Sequence, residues 1–221
     1  MDVLIACEES QAVCTEFRKR GHRAFSCDIQ ECSGGHPEWH INYSCLQIIW
    51  GGCEFMTQDG SRHSIDGPWD LIIAHPPCTY LTVTGNAWFS MDRYITKAGA
   101  RYMDRVDAIK FFMDFVVCNA KRVAIENPIG IMSNVYKKPD QIIQPYMFGD
   151  PFEKKTCLWL KNLPPLNATN EVQPQKRVQF ESGKSMPAWY ADLWNLPKEE
   201  RARARSKTFP GIARAMAEQW G

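Results

Sequence analysis

The chain has 221 residues, of which 44% are hydrophobic and 23% are charged, and its formal net charge is +1. These values are ordinary for a soluble globular protein of one domain, and the length is sufficient for a substantial core. No apolar run approaches the roughly 20 residues of a membrane-spanning helix. The apolar run at residues 3–5 has no basic region before it and does not match a signal peptide. We therefore expect a cytosolic protein without membrane association.

The nine cysteines are odd in number and irregularly spaced, which argues against a disulfide framework. In the cytosol such thiols stay reduced. Cys27, Cys32, His36 and His40 could form a zinc set by residue type, but the chain has no C-x-x-C pair. We prefer scattered thiols and predict no metal in the functional site, while leaving a structural metal at these four residues open.

Charge is divided unevenly along the chain. Residues 1–100 hold 7 Lys or Arg and 12 Asp or Glu, a net of −5, whereas residues 101–221 hold 19 and 13, a net of +6. An acidic first half and a basic second half suit a cationic cofactor on one side and phosphates on the other. A merely solvated surface would give the same counts.

The first 28 residues predict one half of a Rossmann-type cofactor domain. In chain order the predicted elements are a buried strand (Asp2–Ala6), a polar turn (residues 7–10), a helix (Gln11 to about Arg20) with Ser10 as its N-cap, and a second strand (His22–Cys27). Asp28 ends the second strand, where an acid can bind ribose hydroxyls. The turn has no glycine, and Glu8 and Glu9 would repel a pyrophosphate, which disfavours NAD or ATP. These carboxylates suit the ammonium and sulfonium of S-adenosylmethionine.

Two short apolar runs each end in a rigid, proline-containing triplet. Leu71–Ala74 is followed closely by Pro76, Pro77 and Cys78, and Lys121–Ile125 is followed by Glu126, Asn127 and Pro128. Parallel strands that end at one sheet edge would bring Cys78 and Glu126 together. Position alone does not separate a functional Cys78 from one more core thiol.

Pro-Pro-Cys followed by Glu-Asn-Pro resembles the DNA (cytosine-5) methyltransferase family. The resemblance implies a three-layer α/β/α Rossmann-type fold with a mostly parallel sheet and dependence on S-adenosylmethionine. It makes Cys78, presented by the rigid turn at Pro77, the nucleophile and Glu126 the base-binding acid, fixed by Asn127 and Pro128. It also aligns residues 154–156 with the family's cationic segment and assigns Lys155 to the catalytic site. Residues 175–177 are a rival for that segment.

The same resemblance implies where the methyl donor binds. The predicted donor contacts are Cys7, Glu8, Glu9, Ser10, Asp28, Ile29, Ser44 and Pro76. The family's glycine-rich first turn is absent, and Asn42 or Ser44 must replace the aspartate that usually reaches the adenine. The family's closing loop corresponds to Thr79 to about Ala100, where Trp88 could fill the gap left by a flipped base. A helix is predicted from Arg101 to Ala120, and a mobile loop over residues 51–67.

The predicted organisation is compact. Residues 1–160 form the catalytic domain, residues 161–200 a short irregular basic and aromatic segment, and residues 201–221 a C-terminal helix that completes the domain. The middle segment is too short for a target-recognition domain. Such enzymes are similar to those of bacterial viruses, so we expect the cytoplasm or nucleoid of a bacterial host cell. The expected partner is double-stranded DNA, read with low or short sequence specificity, with a homodimer or an accessory recognition subunit left open.

The resulting hypothesis is methyl transfer from S-adenosylmethionine to C5 of a flipped-out cytosine in DNA, through a Cys78–C6 adduct. Cytosine-5 methylation of RNA or a nucleotide stays open, as does a catalytically inactive nucleic-acid-binding member of the fold. An amino-methyltransferase acting on adenine is less favoured. Such a site needs Asp or Asn before the prolines and an aromatic after them, where this chain has His75 and Cys78.

Overall fold

The computed structural model describes residues 1–83, 85, 89 and 91–221, without the side chains of residues 91–98. The strands are β1 (Asp2–Ala6), β2 (Arg23–Cys27), β3 (His40–Ile41), β4 (Cys53–Met56), β5 (Arg62–Ile65), β6 (Leu71–Ala74), β7 (Val123–Pro128), β8 (Gln141–Ile143), β9 (Thr156–Lys161), β10 (Arg177–Gln179) and β11 (Ser185–Pro187). The α-helices are α1 (Ala12–Lys19), α2 (Met91–Val117), α3 (Met132–Val135), α4 (Ala188–Asp192), α5 (Lys198–Ser206) and α6 (Pro210–Trp220).

A seven-stranded sheet organises the chain, with strand order β3-β2-β1-β6-β7-β9-β8. The pairs from β3 to β7 are parallel, and β9 runs antiparallel to both of its neighbours. The order reverses between β1 and β6, which is the switch point where open α/β sheets bind ligands. The predicted Rossmann-type α/β class is therefore confirmed.

The central strand β1 is buried on both faces, as expected of a strand inside a parallel sheet. Leu4 and Ala6 pack in one core cluster with residues of α2, including Phe112. Val3 and Ile5 pack on the opposite face with residues of α1 and α6. This alternation gives the three layers of the fold. Within the described residues, no helix is long and apolar enough to span a membrane.

The start of α1 differs from the sequence prediction. The N-cap is Gln11, with φ of 57°, rather than Ser10, and its own side chain does not cap the helix. Glu8 takes that function: its carboxylate oxygens accept hydrogen bonds from the N–H groups of Val13 at 2.7 Å and Cys14 at 3.2 Å. A carboxylate at this end also interacts favourably with the helix dipole.

Two predicted loops contain regular structure. Residues 51–67 form the antiparallel hairpin β4–β5, whose Phe55 and Ile65 are buried, so the mobile-loop prediction is wrong. The predicted loop from Thr79 to Ala100 is wrong in its second half, because α2 begins at Met91. The first turns of α2 contain Gly99 and many polar residues, so they lack the apolar spacing that marks the rest of this helix.

The predicted C-terminal helix over residues 201–221 is two helices, α5 and α6, separated by residues 207–209. Proline is favoured at the first position of a helix, and Pro210 occupies it in α6. Helix α6 packs against the sheet, where Trp220 is buried and Glu218 pairs with Arg20 of α1 at 2.7 Å. At its start, the N–H of Gly211 donates to Asp150 Oδ2 at 2.8 Å.

Gly211 and Gly99 offer a matched pair of substitutions with opposite expected signs. A Cβ at Gly211 would lie 2.0 Å from the backbone oxygen of Phe148, whereas a Cβ at the exposed Gly99 meets nothing within 4 Å. We expect Gly211→Ala to lower the free energy of unfolding by about 1–3 kcal/mol through overpacking. We expect Gly99→Ala to raise it by about 0.5–1 kcal/mol, because alanine favours the helix. Urea unfolding measures both, and a stabilised Gly211→Ala variant would contradict the packing.

Candidate active site

The carboxyl ends of β6 and β7 bring the two proline-containing triplets together. The last parallel pair between these strands is Ala74 with Ile125. Glu126, Asn127 and Pro128 are not past the end of β7, as the sequence suggests, because β9 continues the pairing to Pro128. They do extend beyond β6, so they lie beside the turn that carries Cys78.

A buried amide fixes this arrangement. Asn127 is only 1% exposed, and its Nδ2 donates to the backbone oxygen of Pro76 at 2.7 Å. The bond joins two segments that are 51 residues apart in sequence. Asn127 is therefore a positioning residue for the turn at Cys78, and Pro77, which is exposed, stiffens that turn.

Cys78 lies at the start of a tight turn, where its backbone oxygen accepts the N–H groups of Leu81 and Thr82, both at 3.0 Å. Burial raises the pKa of its thiol, and the charge of Glu126 raises it further. The positive charge of Lys154 acts in the opposite direction. Cys78 is therefore a protonated thiol at neutral pH, with one cation near enough to favour the thiolate.

Glu126 is held as a carboxylate although its side chain is only 15% exposed. Burial alone would raise its pKa, but the hydrogen bond from His75 and the charge of Lys154 outweigh burial and hold the pKa below its usual range. The distance from His75 Nδ1 to Glu126 Oε2 is 3.2 Å. Thr156 also hydrogen-bonds this carboxylate.

The structure puts Lys154, and not Lys155, in the site. The charge of Lys154 acts on both Cys78 and Glu126, and its Nζ donates to the backbone oxygen of Arg205 at 2.9 Å. Lys155 is exposed, because neighbouring residues of an extended segment point to opposite sides. The predicted Lys155 is therefore replaced by Lys154, one residue earlier in the chain, as the lysine of the candidate site.

A C-terminal cap, defined here as residues 177–206, covers this edge of the sheet. Arg177 pairs with the carboxylate of Glu153, and Trp189 Nε1 donates to the Glu153 backbone oxygen at 3.2 Å. Arg203 Nε lies 3.3 Å from Glu9 Oε1 on the other side of the site. The cap thus contacts Glu153, which precedes Lys154, on one side and Glu9 of the first turn on the other. Of the rival segment at residues 175–177, only Arg177 belongs to the cap, in its β10–β11 hairpin.

Tyr190 of the cap lies close enough to Cys78 to interact with it electrostatically. Burial raises the pKa of Tyr190, Arg205 opposes this shift, and the charge of Cys78 adds to it. The Arg205 guanidinium lies 4.3 Å from the centre of the Tyr190 ring. Beside Glu126 and Lys154, a cleft of about 10 Å³ has room for roughly one water molecule. Its lining residues are Glu126, Lys154, Thr156, Thr208, Phe209 and Ile212.

The first turn forms the opposite side of the site. Cys7 has φ of 60°, and its N–H and that of Glu8 donate to the backbone oxygen of Cys27. Glu8 is 4% exposed and engaged by α1, and burial raises the pKa of its carboxyl. The side chain of Glu9 accepts hydrogen bonds from the Ser33 hydroxyl and from Arg203. Glu9 is therefore the acid of this turn that already binds a cation.

The remaining predicted donor contacts are spread along the ends of β2, β3 and β6. Asp28 follows β2, and its Oδ1 accepts the N–H of Gln30 at 2.9 Å. Ile29 is 78% exposed, so it contributes little buried surface. Ser10 and Ser44 are partly exposed, and Pro76 is buried. Their contacts with a donor remain predictions.

The side chains of three of the four possible zinc ligands have other partners. Cys27 Sγ donates to Tyr43 O at 3.1 Å, and His36 Nδ1 lies 2.9 Å from Glu38. The two ring nitrogens of His40 contact Ser26 Oγ and Gln30 O. Among the residues whose placement is described, no group of three or more His, Cys, Asp or Glu could hold a metal ion.

Part of the predicted closing loop can be followed. Phe89 is buried, with the Arg105 guanidinium 3.3 Å from its ring centre. Asn86 and Trp88 lie outside the described residues, and so does the predicted role of Trp88 in base flipping. Sequence reasoning missed His75 and Tyr190. His75 could have been found from register, because it follows Ala74 as Glu126 follows Ile125.

No protein-family model matches the chain, and no curated protein matches it. Among solved structures it resembles a provisionally assigned DNA modification methyltransferase encoded within a prophage of E. coli. The two share 12% sequence identity and a TM-score of 0.42, over 93% of this chain and 69% of the other. A likeness of this size carries no functional argument. What the topology defines is a Rossmann-type α/β protein with a thiol, a carboxylate and a lysine at one sheet edge.

Alkylation of Cys78 tests the charges around it. We expect Lys154→Gln to raise the pKa of Cys78, because it removes the favourable cation, and Glu126→Gln to lower it, because it removes the unfavourable anion. The pH at which iodoacetamide labels Cys78 half-maximally, followed by peptide mass spectrometry, should move up and down accordingly. The exposed Lys155→Gln is the matched control and should leave it unchanged. Equal shifts for the two lysine variants would contradict the assignment of Lys154.

Proposed function

We propose that the protein transfers a methyl group from S-adenosylmethionine to C5 of cytosine in DNA. The observation that carries the proposal is the proximity of Cys78 and Glu126 at the ends of β6 and β7, with Lys154 beside them just before the start of the antiparallel β9. The arrangement fits a Rossmann-like methyltransferase fold, because the switch point beside β1 leaves the donor and the base to bind on adjacent sides.

Cys78 would act as the nucleophile. C5 of cytosine is not nucleophilic enough to take a methyl group directly, but addition of a thiolate at C6 converts the ring to an enamine that is. The raised pKa keeps Cys78 protonated in the free protein, and Lys154 would stabilise the thiolate when the base is in place.

Glu126 would bind the N3 and N4 edge of the base. Its carboxylate is held ionised by His75 and Lys154, so it can accept from the exocyclic amine and favour protonation of N3 as charge develops. Asn127 fixes the distance between this acid and the turn of Cys78. The positive charge of Lys154 favours the ionised form of both Cys78 and Glu126.

The residues of the first turn fit the methyl donor by their chemistry. When bound, S-adenosylmethionine supplies an electrophilic methyl group. Glu9 already pairs with one cation, the guanidinium of Arg203, and the ammonium group of the donor would be another. Asp28 and Ser44 offer oxygen atoms suited to ribose hydroxyls and the adenine amine. Glu8 would mainly cap α1 and would not contact the donor directly, since its oxygens accept hydrogen bonds from that helix.

DNA would meet the basic side of the cap. Residues 201–217, which are the end of the cap and the chain that follows it, contain five Lys or Arg and no acid, and Trp194 of the cap is 58% exposed. Such a surface suits phosphates and unstacked bases. The cleft of about 10 Å³ is too small for cytosine, so the base would enter only when Phe209 and the cap move. Because residues 161–200 are too few for a target-recognition domain, we propose low or short sequence specificity unless a second subunit reads the site.

Labelled methyl transfer to duplex DNA, followed by nucleoside analysis, tests the proposal. We expect label in 5-methylcytosine with the wild type and a loss of at least about 1,000-fold with Cys78→Ser. Cys53→Ser, in the β4–β5 hairpin, is the matched control and should keep the activity. Label in adenine would contradict the proposal in favour of an amino-methyltransferase, and label only in RNA or nucleotides would replace the substrate. Transfer to none of these would contradict the proposal and leave the alternative of a catalytically inactive member of the fold.

Donor binding can be measured separately by calorimetry. We expect Asp28→Asn to weaken S-adenosylmethionine binding by about tenfold, the equivalent of one lost charge-assisted hydrogen bond. Asp66→Asn, at an exposed site before β6, is the control and should bind as the wild type does. Unchanged affinity in Asp28→Asn would remove Asp28 from the donor site, and no affinity in the wild type would contradict an enzyme of this kind.

A further inference from the structure

His75 is a nearly buried residue to which the proposed mechanism assigns only the support of Glu126. It follows β6 directly, and its backbone N–H donates to Ala6 O at 2.9 Å, which fixes it at the sheet edge. Its side chain is 9% exposed. Three residues further along the same turn lies Cys78.

The two ring nitrogens of His75 have different surroundings. Nδ1 lies 3.2 Å from Glu126 Oε2, and an ionised carboxylate can only accept, so Nδ1 carries the proton. Nε2 is buried and has no hydrogen-bond partner within the described part of the chain. In the neutral ring this nitrogen holds a lone pair. An unpaired buried polar atom destabilises the fold, and a partner arriving with the substrate would remove that cost.

We propose that His75 is a further catalytic residue, the base that removes the C5 proton after methyl transfer. This rests on the proposed cytosine-5 reaction. Nε2 takes the proton, the electrons of the C5–H bond form the C5=C6 double bond, and the C6–S bond breaks. Its electrons return to Cys78 as the thiolate. The bound proton then passes to solvent when the product leaves.

The surroundings of His75 suit a group that becomes charged during the reaction. Glu126 lies 3.2 Å from Nδ1, and Glu8 of the first turn interacts electrostatically with His75. A positive charge that forms on the ring during the reaction would therefore lie near acidic side chains from two different elements. Glu126 also fixes the ring orientation and tautomer, as a third group does in other nucleophile–base pairs.

The alternative is that His75 only positions Glu126. Two substitutions separate the two roles. The side-chain amide of His75→Asn can place a donor near the former Nδ1, which keeps the bond to Glu126, but it has no basic nitrogen. His75→Ala removes both the donor and the base.

The test is a single-turnover reaction with labelled donor and cytosine-containing duplex DNA, quenched in denaturant. Label in a covalent protein–DNA complex and label in free DNA are counted separately. We expect His75→Asn to form the methylated adduct at close to the wild-type rate but to release it at least about 100-fold more slowly. His75→Ala should slow both steps.

Wild-type release by His75→Asn would overturn the proposal and leave His75 as a positioning residue. Loss of adduct formation and release in equal proportion in His75→Asn would overturn it as well, because the defect would then lie before the proton is removed. A wild type that forms neither methylated DNA nor an adduct would overturn the cytosine-5 reaction itself, and with it the role of His75. Circular dichroism of each variant confirms that it is folded.

Discussion

The hydrogen bond from Asn127 to Pro76 is the constraint on which the rest of the site depends. It joins two strand ends that are distant in sequence, at the sheet edge where the order reverses. Because Asn127 is buried, its amide cannot exchange this partner for water, and the turn of Cys78 has one position relative to Glu126. The prolines on both sides leave the backbone little freedom to drift. Cys78 and Glu126 are therefore held near each other by the two strand ends, and no loop movement is needed to bring them together.

The electrostatics of the site follow from that frame. A nearly buried carboxylate would ordinarily become neutral, yet Glu126 stays ionised because His75, Lys154 and Thr156 contact it or act on it from different elements. The same lysine favours the thiolate of Cys78. The cap then contributes to both sides, since Arg205 accepts from Lys154 and Arg203 pairs with Glu9. If the cap opens to admit a base, as proposed, both contacts with α5 would loosen at once.

Local patterns in the sequence were sufficient for the frame but not for the details of the site. β1, β6 and β7 could be predicted because each is a short apolar run with a clear stop, and the pairing of Cys78 with Glu126 followed from parallel strand ends. Glycines at 51 and 52 hid the β4–β5 hairpin, since positive φ at a turn and a mobile loop give the same sequence signal. Lys154 and Lys155 could not be told apart until the direction of each side chain was known. Tyr190 lies in a segment whose apolar residues have no regular spacing. Its place near the site could therefore be seen only in the tertiary structure.

The central claim is that Cys78 adds to a cytosine ring, and a mechanism-based trap tests it most directly. In duplex DNA that contains 5-fluorocytosine, C5 carries fluorine in place of hydrogen. Fluorine cannot be removed as a cation by a base, as the C5 proton is, so the covalent adduct cannot break down. With S-adenosylmethionine present, the account predicts a denaturant-stable complex whose mass equals protein plus DNA plus one methyl group, with the cross-link mapped to Cys78. Absence of a complex, or a cross-link at any other cysteine, would contradict the account.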